Sequence, residues 1–159
     1  MNIIYRKTKL ADIELLVKLR LDFIKDEGIE MTSDETDSFI ITCRNYFEKA
    51  IENKSFIAIV AENNGKAIST AFMTLSERPP RKPFIPCLSG TIYNVFTHEK
   101  YRRQGVATNI LKLIIEEARN NGAEFIDLLA TQDGKSVYEK LGFWSIDMTS
   151  MRKELGCEK

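Results

Sequence analysis

The stretch Val95-Phe96-Thr97-His98-Glu99-Lys100-Tyr101-Arg102-Arg103-Gln104-Gly105-Val106-Ala107 ends a strand, turns through a basic segment and opens a helix on small residues. Upstream of it, Leu88 to Thr97 reads as strand. Downstream, Gln104 to Asn121 carries apolar residues at helical spacing and stops at Gly122, and Glu124 to Ala130 reads as strand again. Strands flanking one amphipathic helix belong to an α/β unit.

Working outward, Gly134 to Leu141 predicts a short helix and Phe143 to about Leu155 a last strand. Toward the N-terminus, Arg78 to Pro86 holds all 4 prolines, so neither ladder nor helix persists there and an exposed loop is expected. Before that loop, Ser55 to Glu62 and Lys66 to Glu77 read as strands joined by Asn63-Asn64-Gly65, a turn that tolerates positive φ. Residues 2–7 predict the first strand, and Thr8 is placed to cap a helix carrying Ile13, Leu16, Val17, Leu21 and Ile24. After an acidic stretch from Asp26 to Asp37, a second helix carries Phe39, Ile40, Cys43, Phe47 and Ile51 to about Asn53. The order is βααβββαβαβ: an α/β (α+β) fold whose mixed central sheet is flanked by helices, in one domain spanning 1–159.

Composition narrows the function. The 23 basic and 23 acidic side chains cancel, leaving no global field for nucleic acid or an anionic membrane surface. The longest apolar run, Phe56 to Ala61, is far shorter than the roughly 20 residues of a membrane-spanning helix. MNIIYRK lacks the apolar stretch of a signal peptide, and Cys43, Cys87 and Cys157 suit neither a disulfide framework nor a metal knuckle. Reduced thiols in a cytoplasmic protein are expected. With His98 the one histidine, no multi-histidine metal site can form, and no metal is expected.

The turn before the long helix has its own chemistry. The first N–H groups of a helix lack acceptors and, with the helix dipole, attract anions such as a pyrophosphate. Gly105 and Ala107 let a phosphate approach the backbone, and Arg102 and Arg103 add planar donor forks. Neither a Gly-Lys-Ser/Thr phosphate loop nor Gly-x-Gly-x-x-Gly occurs, which removes the nucleoside-triphosphatase and dinucleotide readings.

A second motif, Tyr138-Glu139-Lys140-Leu141-Gly142-Phe143, follows at the right separation. Together the motifs resemble the GNAT superfamily of acetyl-CoA-dependent N-acetyltransferases, whose Arg/Gln-x-x-Gly-x-Gly/Ala turn is matched by Arg102, Gly105 and Ala107. The resemblance implies that Val95, Phe96 and Thr97 hydrogen-bond the pantetheine arm of acetyl-CoA through their backbone. It implies that Arg102, Arg103, Gln104, Gly105, Val106, Ala107 and Thr108 hold the pyrophosphate, and that Tyr138 protonates the departing thiolate. Thr131 stands where many relatives hold the pantetheine with asparagine, and Ile126 where some carry a glutamate. Asp127 is next to it and, by strand alternation, is expected to face away from the acceptor; Glu77, Tyr93 or a water chain are the other bases left open.

The implied reaction moves acetyl from acetyl-CoA to an amine by direct attack in a ternary complex. The second reading is a non-catalytic acyl-CoA-binding or regulatory module. The acceptor is a small-molecule or peptide amine, and the acidic stretch between the first helices, which borders the acceptor entrance in this family, would draw a cationic one. Partners exclude nucleic acid and membrane, and a homodimer is allowed.

Overall fold

The structure, a computed structural model, describes residues 2–85 and 87–155, so Cys157 lies outside the described residues. The chain divides into two compact units, 1–129 and 130–159.

In the first unit the order is β1 (Ile3–Lys7), α1 (Ile13–Asp26), α2 (Ser33–Glu52), β2 (Phe56–Asn63), β3 (Lys66–Arg78), β4 (Cys87–Thr97), α3 (Val106–Asn120) and β5 (Phe125–Leu128). The strands lie in sequence order in one mixed sheet, antiparallel throughout except for the parallel β4–β5 pair. The β2–β3 hairpin turns at Asn64 and Gly65, both at positive φ as its two-residue loop requires.

Alternation along the strands sends side chains to two faces. Phe56, Ala58 and Val60 of β2 and Phe72 of β3 face α1 and α2, where Leu16, Val17, Leu19, Phe47 and Ala50 complete a core. The aromatic rings of Phe47, Phe56 and Phe72 meet at centroid distances of 5.2, 5.3 and 5.5 Å. On the other face α3 packs across β2, β3 and β4 with Val106, Ile110, Leu111, Ile114 and Ala118 buried. Leu16 is 0% exposed at the α1–sheet seam, so Leu16→Ala is expected to cost about 2–5 kcal/mol in urea unfolding. A loss under about 1 kcal/mol would mean that this seam carries little of the fold's stability.

The helix starts differ from expectation. Thr8 donates its hydroxyl to the Ala58 carbonyl oxygen at 3.3 Å and caps nothing. The entry to α1 is fixed instead by Arg6, whose guanidinium bridges Asp12 at 2.9 Å and Glu62 at 2.7 Å, while Asp12 also accepts the Lys9 N–H. The second helix begins at Ser33, because Thr32 and Glu35 form a reciprocal capping box. Asp34, Glu35 and Asp37 are therefore helical, and the turn between α1 and α2 is confined to residues 27–32. Acids in a first turn favour the helix dipole, which gives Asp34 and Glu35 a structural use.

The second unit holds α4 (Gln132–Lys140). The strand expected within 143–155 does not form among the described residues. Trp144, Ile146 and Met148 alternate as a strand would, yet all are exposed and no neighbouring strand supplies the ladder that alternation alone cannot make. No helix among the described residues is long and apolar enough to cross a membrane.

Candidate acyl-donor and acceptor site

The pairing of β3 with β4 slips once. Thr70 stands opposite Phe96 and Phe72 opposite Tyr93, so Ala71 faces both Asn94 and Val95. The extra residue is a β-bulge, and Asn94 adopts φ 51° there. On its other side β4 is paired by β5 only from Ser89 to Ile92. From Tyr93 to Thr97 that edge of β4 has no strand beside it among the described residues, and an edge of this kind can pair the amides of an extended ligand.

The bare edge runs directly into the basic turn. Glu99–Tyr101 forms a single tight turn, Arg102 is extended, and Arg103 (φ 60°) and Gly105 (φ 78°) are left-handed. That sequence of conformations brings the loop onto the start of α3, where no described residue accepts the N–H of Val106, Ala107 or Thr108. A Cβ built on Gly105 would meet nothing within 4 Å beyond its chain neighbours, so the turn leaves open space at the helix start. The arrangement fits a pyrophosphate.

The two arginines of the turn differ. Arg102 donates Nε to the Thr97 carbonyl at 2.8 Å and Nη2 to Asp26 at 2.6 Å, so it ties the end of β4 to the end of α1. Arg103 has no side-chain partner among the described residues and keeps its whole fork for an anion. Gln104 turns its amide back to the Lys100 carbonyl.

On the α1–α2 side of β4, the ionisable groups are largely matched. Asp22 faces His98 Nε2 at 3.7 Å, Asp26 holds Arg102, Glu14 holds Arg44, and Asp127 accepts from Arg78 at 2.8 Å. The parallel register sets Asp127 beside Thr91, which shares its face with Tyr93. Asp127 thus shares the face of Tyr93, and it is already paired with Arg78. Glu77 lies opposite Leu88, about 17 Å along the strand from Phe72 at ~3.4 Å per residue, too far to serve a reaction at the bulge. Tyr93 is 51% exposed at the bulge itself.

In the second unit, Thr131 caps α4 by accepting the Gly134 N–H at 3.2 Å. The motif Tyr138–Phe143 is a helix C-cap: Gly142 (φ 88°) donates to Glu139, Phe143 donates to Tyr138, and the rings of Tyr138 and Phe143 meet edge-on at 5.9 Å. Burial pushes the Tyr138 phenol above its ordinary value.

Sequence reasoning did not find Arg20 and Asn94, which hydrogen-bond across the α1–β4 seam at 2.9 Å. The available signal was Asn94 itself, a residue rare in strands and tolerant of positive φ, set inside Ile92-Tyr93-Asn94-Val95-Phe96.

Residues 20–143 match the model of the acetyltransferase (GNAT) family. The crystal structure of a predicted acetyltransferase with acetyl-CoA from Clostridium acetobutylicum is similar to this chain, with 31% identity, 96% of each chain covered and a TM-score of 0.85. A GCN5-related N-acetyltransferase from Ralstonia eutropha shares the fold at 19% identity and TM-score 0.79, over 96% of this chain and 99% of that one. So does glucosamine-6-phosphate N-acetyltransferase from Arabidopsis thaliana, at 16% identity and TM-score 0.72 over the same shares. No curated protein sequence matches significantly. A family model covering most of the sequence, on a sheet whose fourth strand bulges and opens beside an uncapped helix start, makes this chain a member of the GNAT acetyltransferase family.

Proposed function

We propose that this protein, acting as one domain over 1–159 in the cytoplasm, transfers acetyl from acetyl-CoA to the amine of a small molecule or peptide by direct attack in a ternary complex. The observation that carries the reading is one continuous track: the unpaired β4 edge from Tyr93 to Thr97 leads into the open N–H groups at the start of α3. When bound, acetyl-CoA supplies the activated acetyl thioester.

The backbone of Val95, Phe96 and Thr97 aligns the pantetheine arm as an added strand, and the N–H groups at the bulge polarise the reacting carbonyl. Arg103, Gly105, Val106, Ala107 and Thr108 hold the pyrophosphate, with Arg102 and Gln104 bracing the loop in the shape that exposes those donors. Tyr138 donates a hydrogen bond to the departing sulfur, and Thr131 fixes the start of the helix that carries Tyr138. The proton lost by the amine passes along a water chain to bulk solvent, with the oxygen of the exposed Tyr93 hydroxyl as a hydrogen-bond acceptor along it, since Asp127 is held by Arg78.

The test is thiol release from acetyl-CoA against a panel of amines, with acetyl-CoA affinity measured by calorimetry. Amine-dependent release supports the transferase. Binding with no release for any amine would leave a non-catalytic acyl-CoA-binding module.

A further inference from the structure

Along the seam between α1 and the end of β4, Asp22 faces His98 and Asp26 holds Arg102, and on the same face of the sheet Asp127 of β5 is held by Arg78 of β3. Arg20 is the exception. It is half-buried on α1, lies over the Phe23 ring at 5.2 Å, and has no carboxylate partner among the described residues. Its one side-chain hydrogen bond goes to a neutral group, Asn94 Oδ1. A guanidinium withdrawn from water without a counter-ion is costly, and its remaining donors suit a planar or tetrahedral oxyanion.

Asn94 marks the same spot independently. It is 5% exposed, sits at the bulge with φ 51°, and its Nδ2 is the one buried side-chain polar atom without a partner among the described residues. The left-handed backbone and an unsatisfied buried donor meet on a single residue, and a buried polar atom without a partner is a cost that structures tolerate chiefly at functional sites. Here their common result is that Oδ1 holds the Arg20 fork beside the point where the sheet opens. The field of Arg20 also reaches α2, where it opposes the upward push of burial on the Cys43 thiol.

We propose that the acceptor carries an anionic oxygen group, carboxylate or phosphate, besides its amine, and that Arg20 binds this group while Asn94 positions Arg20. The proposal rests on the acetyl-transfer reading and names its substrate class. An unpaired cation on the acceptor side of the bulge draws the anionic end of the molecule to α1.

The experiment compares matched acceptors with acetyl-CoA saturating: glycine and alanine against their primary amides, and phosphoethanolamine against ethanolamine. The anionic member of at least one pair is expected to show a kcat/KM roughly 10–100-fold higher, chiefly through KM, as fits a charge-assisted contact. Which pair responds distinguishes carboxylate from phosphate. Arg20→Gln should bring the ratio to about one, and Arg20→Lys should restore part of it. Asn94→Asp supplies Arg20 with a fixed counter-ion; it should remove the preference without lowering Tm, which keeps the test open if Arg20→Gln folds poorly. Calorimetry with acetyl-CoA should give the parent affinity in both Arg20 variants, since Arg20 lies on α1, outside the β4–α3 track. Equal rates within each pair, a preference that survives Arg20→Gln and Asn94→Asp, or acetyl-CoA binding with no acetylation of any of these amines would overturn the assignment. Failure of the parent to bind acetyl-CoA would instead overturn the acetyl-transfer reading and this one with it.

Discussion

Tyr138→Phe is expected to slow acetyl transfer by roughly 10²-fold in single-turnover measurements, the lower end of the roughly 10²–10⁴ attached to a lost general acid. Two pKa values set that choice. A thiol has a reference value near 8.5 and a phenol near 10, so complete proton transfer from phenol to thiolate is uphill by about 2 kcal/mol before the environment acts. Burial raises the Tyr138 phenol further, which widens the gap while keeping the group protonated through neutral and mildly alkaline pH. The phenol therefore assists mainly as a hydrogen-bond donor to the developing charge on sulfur. The substitution is otherwise conservative, because the C-cap bonds at Tyr138 are made by its backbone and the edge-on contact with Phe143 needs only the ring. CoA affinity and Tm should stay near the parent values, and the loss should appear in kcat. Single-turnover data are required because slow product release hides a slower chemical step. Parent rates from about pH 6 to about pH 9, a window spanning the thiol value, would make Tyr138 a capping residue whose ring closes α4.

What the sequence disclosed follows the range of the interactions involved. The β2–β3 hairpin was legible because Asn64-Gly65 is a local instruction: its backbone preference and the flanking apolar runs agree. The turn before α3 was legible for the same reason, with Gly105 at the helix entry. The start of α2 was also written locally, in Thr32 and Glu35, but the acidic composition around them reads as loop unless the capping box is recognised. The tail shows the opposite failure. Trp144, Ile146 and Met148 carry the period of a strand, and a strand needs a partner that no local pattern can supply. The site residues missed were those fixed by distant contacts. Arg102 meets Asp26 and Arg20 meets Asn94 across separations of 76 and 74 residues, so the division of labour between a bracing arginine and an unpaired one appears only after folding. The face that Asp127 takes depends on register against β4, which its own strand does not encode.

Gly105→Val is expected to weaken CoA binding by roughly 10²-fold or more, and comparison with Gly105→Asn separates the reasons. Gly105 caps α3 at φ 78°, a conformation that a β-branched residue adopts only under strain of about 1–3 kcal/mol. Valine must either hold that strain or let the loop relax, and relaxation turns the N–H groups at the start of α3 away from a shared focus. Asparagine tolerates the left-handed region, so it keeps the loop and most of the stability. It still projects a side chain into the open space before the helix, where a Cβ meets nothing within 4 Å beyond its own chain neighbours. If the pyrophosphate occupies that space, both variants lose affinity while only valine loses substantial stability, and losing one or two charge-assisted hydrogen bonds of ~1.5–3 kcal/mol each accounts for the size of the effect. Calorimetry with CoA, set beside Tm for each variant, reads the two consequences separately. Parent affinity in the asparagine variant with reduced affinity in the valine variant would mean that loop shape alone matters and the space stays empty. Parent affinity in both would place the phosphates away from α3 altogether.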